Sequence, residues 1–405
     1  MIKKRLLIMV PTLGGGGQER VAATLTYLLA DTYDIKMLLF DSRKKMYDIN
    51  CDCISLELYN RPGGNPLGKT ITAVKRIIAT RKIKKEWQAD ICLSFGITSN
   101  YVNALSAKND KAYLSLRGFG ALEPSNKLVK CFDDFIFSKA EGIISVSKVM
   151  TMTAKKKYPK QSHKFSTLYN PYDTERIEKL ASEPYEKYQH LFEGGSQVIM
   201  AVGSYKKVKG QWHLIKAFSL VKKKHPNAKL LVFGGATGSL EKLQRLVTDL
   251  ELESDVVLGS FETNPFSYLK HACMFVLPSL SEGLPNALLE AMSCGVPIVA
   301  TDCQTGPREI LSDSDLTVVA QEIEQHTYGI LVPPLTWEEN YDASYIEPCE
   351  EMLAQAIEIY LDNPELADAY RQKSCERVKF FSKELCKETL TNIFDNNHQE
   401  SERNG

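Results

Sequence analysis

Short runs of apolar residues recur along the chain, and segments with helical spacing separate them. Continuous apolar runs, in contrast to alternating ones, are typical of strands that are buried on both faces of a parallel sheet. The runs form one set in each half of the chain: residues 6–10, 35–40, 91–95, 112–116, 142–146 and 165–169, then 198–202, 230–233, 256–258, 274–277 and 298–300. The pattern predicts an α/β protein with two doubly wound domains.

A polar segment separates the two sets of apolar runs. Residues 173–197 include Pro184, Gly194 and Gly195, which are residue types that interrupt regular structure. We therefore predict one domain over residues 1–185 and a second over residues 195–370. Residues 364–394 have a helical pattern, and Pro364 suits the first turn of a helix.

Composition agrees with a globular protein of two domains. The chain has 405 residues, of which 43% are hydrophobic and 25% charged. Its longest apolar runs are far shorter than the roughly 20 residues that a membrane-spanning helix needs. The N-terminus lacks the apolar length and cleavage site of a signal peptide, so the expected location is the cytoplasm. The ten cysteines form no C-x-x-C pair, which argues against a structural metal site or a disulfide framework.

The zero net charge hides an uneven distribution. Residues 1–190 contain 31 basic and 19 acidic residues, which leaves 19 basic and 31 acidic residues in the remainder. A difference of this size indicates that the two halves have different partners, and that the first half faces something anionic.

A glycine run follows the first predicted strand. Residues 14–17 are all glycine, and a helical segment begins directly after them. Glycines let the backbone approach a ligand closely, and a helix start attracts anions. Gly15, Gly16 and Gly17 are therefore candidates for phosphate binding, with a flexible loop as the alternative. The spacing does not match a dinucleotide-binding fingerprint.

A second motif lies at residues 279–297. The strand at 274–277 leads into a loop with Glu282, and Pro285 suits the first position of a helix that Gly295 ends. Glu290 lies inside that helix. The first N–H groups of the helix are free to bind a phosphate, with a carboxylate on either side, which suits a sugar nucleotide. The alternative is a surface loop with two solvated glutamates. The candidate residues are Glu282, Gly283, Leu284, Pro285, Asn286, Ala287, Leu288 and Glu290.

The motif S-x-x-E-G-x-P-x-x-x-x-E-A-M-x-x-G-x-P-I-V-A resembles the donor-site signature of the family four retaining glycosyltransferases of GT-B fold. Further segments are similar to this family: residues 15–20, 144–147, 169–171, 231–235 and 306–310. The resemblance implies two Rossmann-like domains that face each other across a cleft. It also implies that the C-terminal domain binds the nucleotide sugar, and that a helix at about 375–395 packs back on the acceptor-side N-terminal domain.

The resemblance also implies a reaction. Such enzymes transfer a sugar from a nucleotide sugar, usually a UDP-sugar, with retention at the anomeric carbon and without a metal or other cofactor. By analogy Glu290 binds the ribose hydroxyls, Glu282 the donor sugar, and Lys209 the departing phosphate. Lys209 and Glu282 are thus the expected catalytic residues, and the glycine run would close on the same phosphates.

One departure from the family pattern concerns Ser204, which stands where the family usually has an arginine. Serine does not replace an arginine phosphate clamp, so Lys206 or Lys207 would have to supply the charge. Two alternatives therefore remain beside a glycosyltransferase. One is a GT-B epimerase of nucleotide sugars, and the other is a catalytically impaired subunit that supports a partner enzyme.

Ser94, Asn100 and Arg117 lie at or shortly after the ends of predicted strands of the N-terminal half. The carboxyl ends of strands line the ligand crevice in open α/β sheets. The segments resemble those of relatives that act on bacterial surface polysaccharides, which makes these residues candidate donor or acceptor contacts. An ordinary exposed arginine is the alternative for Arg117.

The first half of the chain also contains a strongly basic segment. Eight basic residues and no acid lie between Arg61 and Lys85, while Ile71, Val74, Ile77 and Ile78 have helical spacing. The segment is either a core helix with a solvated basic face or a surface that attracts an anionic membrane. The second interpretation suits a peripheral enzyme at the inner face of the plasma membrane with a glycan or lipid-linked saccharide as acceptor; no nucleic-acid partner is expected.

Overall fold

The computed structural model describes residues 3–14, 16–43, 45–59, 65–123, 126–235 and 238–403. The chain forms two compact units. Unit 1 comprises Met1–Pro171 and Lys383–Gly405, and unit 2 comprises Tyr172–Ser382. The first division lies before the predicted limit at residue 185, because residues 174–181 form a helix that packs within unit 2.

Unit 1 contains a parallel sheet of seven strands in the order β3-β2-β1-β4-β5-β6-β7. Its strands and helices, in chain order, are β1 Arg5–Val10, α1 Gly17–Leu28, β2 Asp34–Leu39, β3 Asp52–Ser55, α2 Pro66–Trp87, β4 Ile91–Phe95, α3 Ile97–Ser106, β5 Lys111–Leu116, α4 Lys127–Lys139, β6 Gly142–Ser145, α5 Lys148–Lys157 and β7 Phe165–Thr167.

Helices cover both faces of this sheet. Leu6 and Ile8 of β1 pack in one hydrophobic core, and Leu7 packs in a second core on the opposite face. Burial on both sides explains why the strands are continuous apolar runs. The strand β3 was missed because its four residues lie at the sheet edge and are all at least partly exposed.

Unit 2 contains a second sheet of seven strands in the order β10-β9-β8-β11-β12-β14-β13. Its elements are α6 Thr174–Ala181, β8 Gln197–Val202, α7 Gln211–Lys224, β9 Ala228–Phe233, α8 Leu240–Asp249, β10 Val256–Gly259, α9 Phe266–Leu269, β11 Met274–Leu277, α10 Asn286–Ser293, β12 Ile298–Thr301, α11 Pro307–Leu311, β13 Glu324–His326, β14 Gly329–Val332, α12 Pro348–Asp362 and α13 Pro364–Val378.

Two features of unit 2 differ from the sequence prediction. The strands β13 and β14 were not predicted, and they form an antiparallel pair at the sheet edge. The helical pattern over 364–394 is not one helix, because α13 ends at Val378 and a 3-10 turn follows over Lys379–Phe381.

The last helix, α14 (Lys383–Arg403), belongs to unit 1. Cys386, Leu390 and Phe394 are buried in the same core as Leu6 and Ile8 of β1. The ring of Phe394 lies 4.7 Å from that of Tyr113 on β5. The chain therefore completes the first unit only after it has built the second, with a helix that begins later than the predicted residue 375.

Within the described ranges, the structure contains no helix that is long and apolar enough to cross a membrane. The ten cysteines are all free thiols. The predicted fold class, two doubly wound α/β domains, is confirmed for each unit.

Candidate active site

The strand order of unit 2 brings two loops together. Strand β8 continues to β9 on one side, and its other neighbour β11 continues to β12 on the opposite side. Loops after two such strands diverge and leave a crevice at the carboxyl edge of the sheet, where ligands bind in open α/β folds. In unit 2 these loops are residues 203–210 and residues 278–285.

The side chains of Lys209 and Glu282 meet between the two loops. Lys209 Nζ lies 2.6 Å from Glu282 Oε1, and Ser279 Oγ donates a hydrogen bond of 2.7 Å to the same oxygen. The Lys209 side chain is 27% exposed and that of Glu282 11% exposed. A charge-assisted bond of this length fixes both groups. The two residues predicted to be catalytic are therefore direct partners.

Backbone and hydroxyl contacts hold the Glu282 loop in place. The Leu280 N–H donates to the Val208 carbonyl at 2.9 Å. The Thr305 hydroxyl donates to the carbonyl of Glu282 itself, and the Thr301 hydroxyl donates to that of Ser279. Thr301 and Thr305 were not predicted as site residues, because they become neighbours of Glu282 only through the pairing of β11 with β12.

Two glycines permit the close approach of these segments. Gly210 has a φ of +62°, and a Cβ at this position would lie 2.1 Å from the Pro278 carbonyl oxygen. Gly306 has a φ of +96°, and a Cβ there would lie 2.4 Å from Cδ of Pro285. Only glycine avoids both the strain of positive φ and these contacts.

The lysine loop is a tight turn. A 3-10 helix over Lys207–Lys209 follows Ser204, and the side chain of Gln211 donates to the Ser204 carbonyl at 3.1 Å. Gln211 is buried and was not a predicted site residue. Lys206 and Lys207 are both exposed. Their predicted contact with the donor stays a prediction.

The helix α10 begins one residue later than predicted. Pro285 has an extended conformation at the N-cap, and Asn286 is the first helical residue. The N–H groups of Asn286, Ala287 and Leu288 thus belong to the first turn, where no intrahelical acceptor exists. The Leu288 side chain is fully buried, so Leu288 would contact a ligand through its backbone N–H group. Gly283 and Leu284, which precede the cap, are also buried.

Glu290 is the fifth residue of α10 and is 8% exposed. Burial, with a smaller contribution from the Glu290 carboxylate, raises the pKa of Cys294 one turn later to about 12. The predicted contact of Glu290 with a ribose stays a prediction.

In unit 1, the glycine run ends at the start of a helix. Gly16 is the N-cap of α1 and Gly17 its first residue, whereas Gly15 lies outside the described residues. The Glu19 carboxylate folds over the cap, so that a Cβ on Gly16 would lie 2.1 Å from Glu19 Oε2. Glycine at residue 16 therefore makes room for Glu19.

Ser94 and Asn100 are buried in a network inside unit 1. Ser94 Oγ donates to Asn100 Oδ1 at 2.8 Å, and Asn100 Nδ2 donates to the Ser115 carbonyl at 2.9 Å. Arg117 Nε donates to Ser115 Oγ at 2.7 Å, and its other nitrogen Nη1 donates to Asn170. These contacts join β4, α3 and β5, and the predicted substrate contacts of the three residues stay predictions.

Comparison with known proteins identifies the family. The family model described as glycosyl transferases group 1 matches residues 183–377. An uncharacterized glycosyltransferase of Methanocaldococcus jannaschii is 30% identical over 351 residues, which cover 80% of this chain and 84% of that protein. The chain belongs to the group 1 glycosyltransferases.

Two further similarities support the family and the fold of this glycosyltransferase. It is 27% identical, over 94% of its own length and 96% of the relative, to a Campylobacter jejuni N-acetylgalactosamine-N,N'-diacetylbacillosaminyl-diphospho-undecaprenol 4-alpha-N-acetylgalactosaminyltransferase. Its structure matches Anabaena HepE, solved in complex with UDP and glucose, with a TM-score of 0.72 at 16% identity, over 97% of this chain and 100% of HepE. The architecture is that of the GT-B glycosyltransferases.

Among the residues that the structure describes, His213, Glu347 and Cys349 of the glycosyltransferase lie close enough together to be metal ligands. Both ring nitrogens of His213 are already engaged, Nδ1 with Glu350 at 2.8 Å and Nε2 with the Thr336 carbonyl at 3.0 Å. Burial raises the pKa of Cys349 to about 11, which keeps the thiol protonated. The group therefore fits a hydrogen-bonded core and does not fit a metal ion.

Gly210→Ala should destabilise unit 2 of the glycosyltransferase by roughly 1–3 kcal/mol, because alanine is strained at positive φ and its Cβ meets the Pro278 carbonyl. Urea unfolding monitored by circular dichroism measures the change. The matched control is Gly235→Ala, where no atom lies within 4 Å of the added Cβ. Equal stability of the two variants would contradict the close approach at Gly210.

Proposed function

We propose that the enzyme transfers a sugar from a UDP-sugar to a glycan or lipid-linked saccharide, with retention at the anomeric carbon, in the assembly of a bacterial surface polysaccharide. The observation that carries this proposal is the pair of Lys209 and Glu282 at the carboxyl edge of unit 2, with Glu282 in the loop that leads into α10. A cation, a carboxylate and a helix N-terminus at one edge of the sheet suit the diphosphate and the hydroxyl groups of a nucleotide sugar.

The chemistry divides among these groups. The bond between the anomeric carbon and the diphosphate oxygen breaks, and a new bond forms from that carbon to the acceptor oxygen. Lys209 stabilises the negative charge that grows on the departing diphosphate, together with the first N–H groups of α10. The carboxylate of Glu282 accepts hydrogen bonds from sugar hydroxyls, and Glu290 accepts those of the ribose. A donor phosphate oxygen takes the acceptor proton, so no metal and no separate base are required.

The relatives support the choice of substrates. HepE was solved with UDP and glucose, which favours a uridine donor. The Campylobacter relative is named for a diphospho-undecaprenol saccharide, which favours an acceptor linked to a lipid diphosphate. Other relatives are named for the biosynthesis of amylovoran and of a capsular polysaccharide.

The basic residues of unit 1 support a peripheral attachment to an anionic membrane. Helix α2 alone carries Lys69, Lys75, Arg81, Lys82 and Lys85 on its exposed surface. Each basic residue near such a surface contributes roughly 1 kcal/mol of attraction. An acceptor held in the membrane would then be within reach of the enzyme.

A donor screen with product analysis tests the proposed reaction. The purified chain is incubated with UDP- and GDP-sugars, EDTA and a synthetic lipid-diphosphate saccharide. We expect release of UDP and, by proton NMR, a new glycosidic bond with the anomeric configuration of the donor. An isomerised donor formed in the absence of acceptor would instead establish the epimerase. Donor binding without any turnover would establish the impaired subunit, for which Ser204 is the argument.

Glu290→Ala should weaken UDP binding about tenfold or more, because a carboxylate that accepts hydrogen bonds contributes roughly 1.5–3 kcal/mol. Isothermal titration calorimetry with UDP measures the affinity. The control is Glu253→Ala, which removes an exposed carboxylate from the same unit. Unchanged affinity in a folded Glu290→Ala variant would remove Glu290 from the nucleotide site.

Lys209→Ala should lower turnover by roughly two orders of magnitude and change donor affinity much less, because the charge on the leaving group grows in the transition state. Steady-state release of UDP, with calorimetry for the donor, separates the two effects. Lys223→Ala, an exposed lysine of α7, is the matched control. Turnover near that of the control would transfer the role to Lys206 or Lys207.

A further inference from the structure

Helix α2 carries an apolar stripe on its solvent side. Leu67, Ile71, Val74 and Ile78 are 68%, 48%, 49% and 65% exposed. Their spacing of four, three and four residues places them on one face of the helix. The sequence suggested that Ile71, Val74, Ile77 and Ile78 would form a buried face if the helix packed in the core. In the structure, only Ile77 of that set packs against the core beneath the helix.

The basic residues of α2 do not all lie on the solvated surface either. Lys84 pairs with Asp110 at 2.7 Å and donates to Asn103, and its side chain is buried. Arg76 is also buried, and its guanidinium donates to the Leu58 carbonyl. These two long polar side chains anchor α2 to unit 1. The anchoring leaves the apolar stripe and the remaining lysines outside.

The helices α2, α3, α4 and α5 cover the same face of the sheet in unit 1. Crossovers between parallel strands are right-handed, and each connection from β3 to β7 steps in one direction across the sheet. Direct contacts agree: Arg81 of α2 donates to the Leu105 carbonyl of α3, and the ring of Tyr101 on α3 lies 5.1 Å from that of Phe132 on α4.

Exposed apolar side chains continue over these neighbouring helices. We use the term apolar face for the whole set, which consists of Leu67, Ile71, Val74, Ile78, Ile97, Leu128, Phe132, Phe135 and Met152. A soluble surface has scattered apolar side chains, but a concentration on one helix layer marks an interaction site.

The apolar face lies toward one end of its helices. All of its members except Phe135, the ninth of the thirteen residues of α4, are in the first two thirds of their own helices. The helices run antiparallel to the strands that they connect, so their N-terminal parts lie toward the carboxyl edge of the sheet. The glycine cap at Gly16 and the side chain of Arg117 follow strands at this same edge.

The charge of the layer is strongly positive. The helix α2 has seven basic residues, α4 has three and α5 has four, whereas the acids of the four helices are Glu86, Asp133 and Asp134. Asp133 is buried against the hydroxyl of Tyr101 at 2.6 Å. The exposed surface is therefore apolar and basic, with few carboxylates.

We propose that the outer surface of α2–α5 docks on an anionic phospholipid bilayer and inserts its apolar face among the lipids, with the lysines at the headgroups. The carboxyl edge of unit 1 then points to the bilayer, which brings it to a lipid-linked acceptor; this orientation rests on the proposed function. Apolar side chains beside flexible lysines are typical of helices that lie in a membrane interface. Interfaces with soluble proteins are instead depleted of lysine.

Insertion differs from purely electrostatic attachment in its response to salt. The Debye length shortens from about 10 Å at 0.1 M salt to about 3 Å at 1 M salt, and this screening removes the attraction between exposed charges. Burial of apolar area is not screened. We therefore expect binding to phosphatidylglycerol vesicles that falls at high salt and retains a measurable salt-resistant part.

Vesicle cosedimentation with the full chain tests the proposal. The triple variant Leu67→Ser, Ile71→Ser, Ile78→Ser should lose affinity for phosphatidylglycerol vesicles about tenfold or more, together with the salt-resistant part. The triple variant Lys75→Gln, Lys82→Gln, Lys85→Gln should lose the salt-sensitive part. The matched control is Val318→Ser with Val319→Ser, which removes two exposed apolar side chains from unit 2 and should change nothing.

A second measurement locates the helix directly. Ile71→Trp should fluoresce at shorter wavelength with vesicles than without them, and lipids with a nitroxide on the acyl chain should quench it. Quenching equal to that of the protein without the substitution would overturn insertion.

The other outcomes are also decisive. Undiminished vesicle binding by the serine variant, with loss in the glutamine variant, would show that attachment is electrostatic and that insertion is wrong. A wild-type dimer in sedimentation velocity that becomes a monomer in the serine variant, without vesicle binding, would show that the face joins two copies of this chain. If the protein binds vesicles as expected but turns over no sugar donor, the result would support docking and contradict the proposed function.

Discussion

The candidate active site depends on the reversal of winding direction between β8 and β11. Parallel strands need helical crossovers, and where the crossovers diverge the two loops at the carboxyl edge have no helix between them. Here the two loops bring Lys209 and Glu282 to 2.6 Å although 73 residues separate them in the sequence. No local segment could create this pair, because each partner is held by its own strand. The sheet is thus the element on which the chemistry rests.

Buried contacts behind the site keep the two loops in one position. Helix α7 begins directly after Lys209 and Gly210, and His213 in its first turn bonds to Glu350 in the first turn of α12. Lys216, one turn later, is fully buried and donates to the Tyr345 carbonyl at 2.9 Å. Buried polar groups are costly when unpaired, so such a network favours one arrangement. The lysine loop is therefore fixed from behind as well as by its contact with the Glu282 loop.

The two units repeat one architecture with different surfaces. In unit 2 the polar side chains of the candidate site lie in loops at the carboxyl edge of the sheet, and the helices pack against the hydrophobic core. In unit 1 the corresponding polar residues Ser94 and Asn100 are consumed by internal hydrogen bonds, whereas the outer helix surface is apolar and basic. The uneven charge of the chain thus has a structural counterpart. Such a division suits the proposed function, in which the donor is soluble and the acceptor is held in a membrane.

The sequence by itself determined the class of the fold and the motif of the candidate active site. Strands buried on both faces must be apolar throughout, so most strands could be predicted from the sequence. Glu282, Pro285 and Gly295 likewise indicated the loop after β11 and the helix α10. The edge strands β3 and β13 were not readable, since strands at the end of a sheet need no such run. The strand β14 lies inside the sheet and has a short apolar run, residues 330–332, which the sequence prediction did not include. The tertiary structure alone decided that Thr305 supports Glu282, that Lys84 is buried, and that Leu67, Ile71 and Ile78 face outward. Helical spacing shows that residues share a face, but only packing against the rest of the chain decides which face is buried.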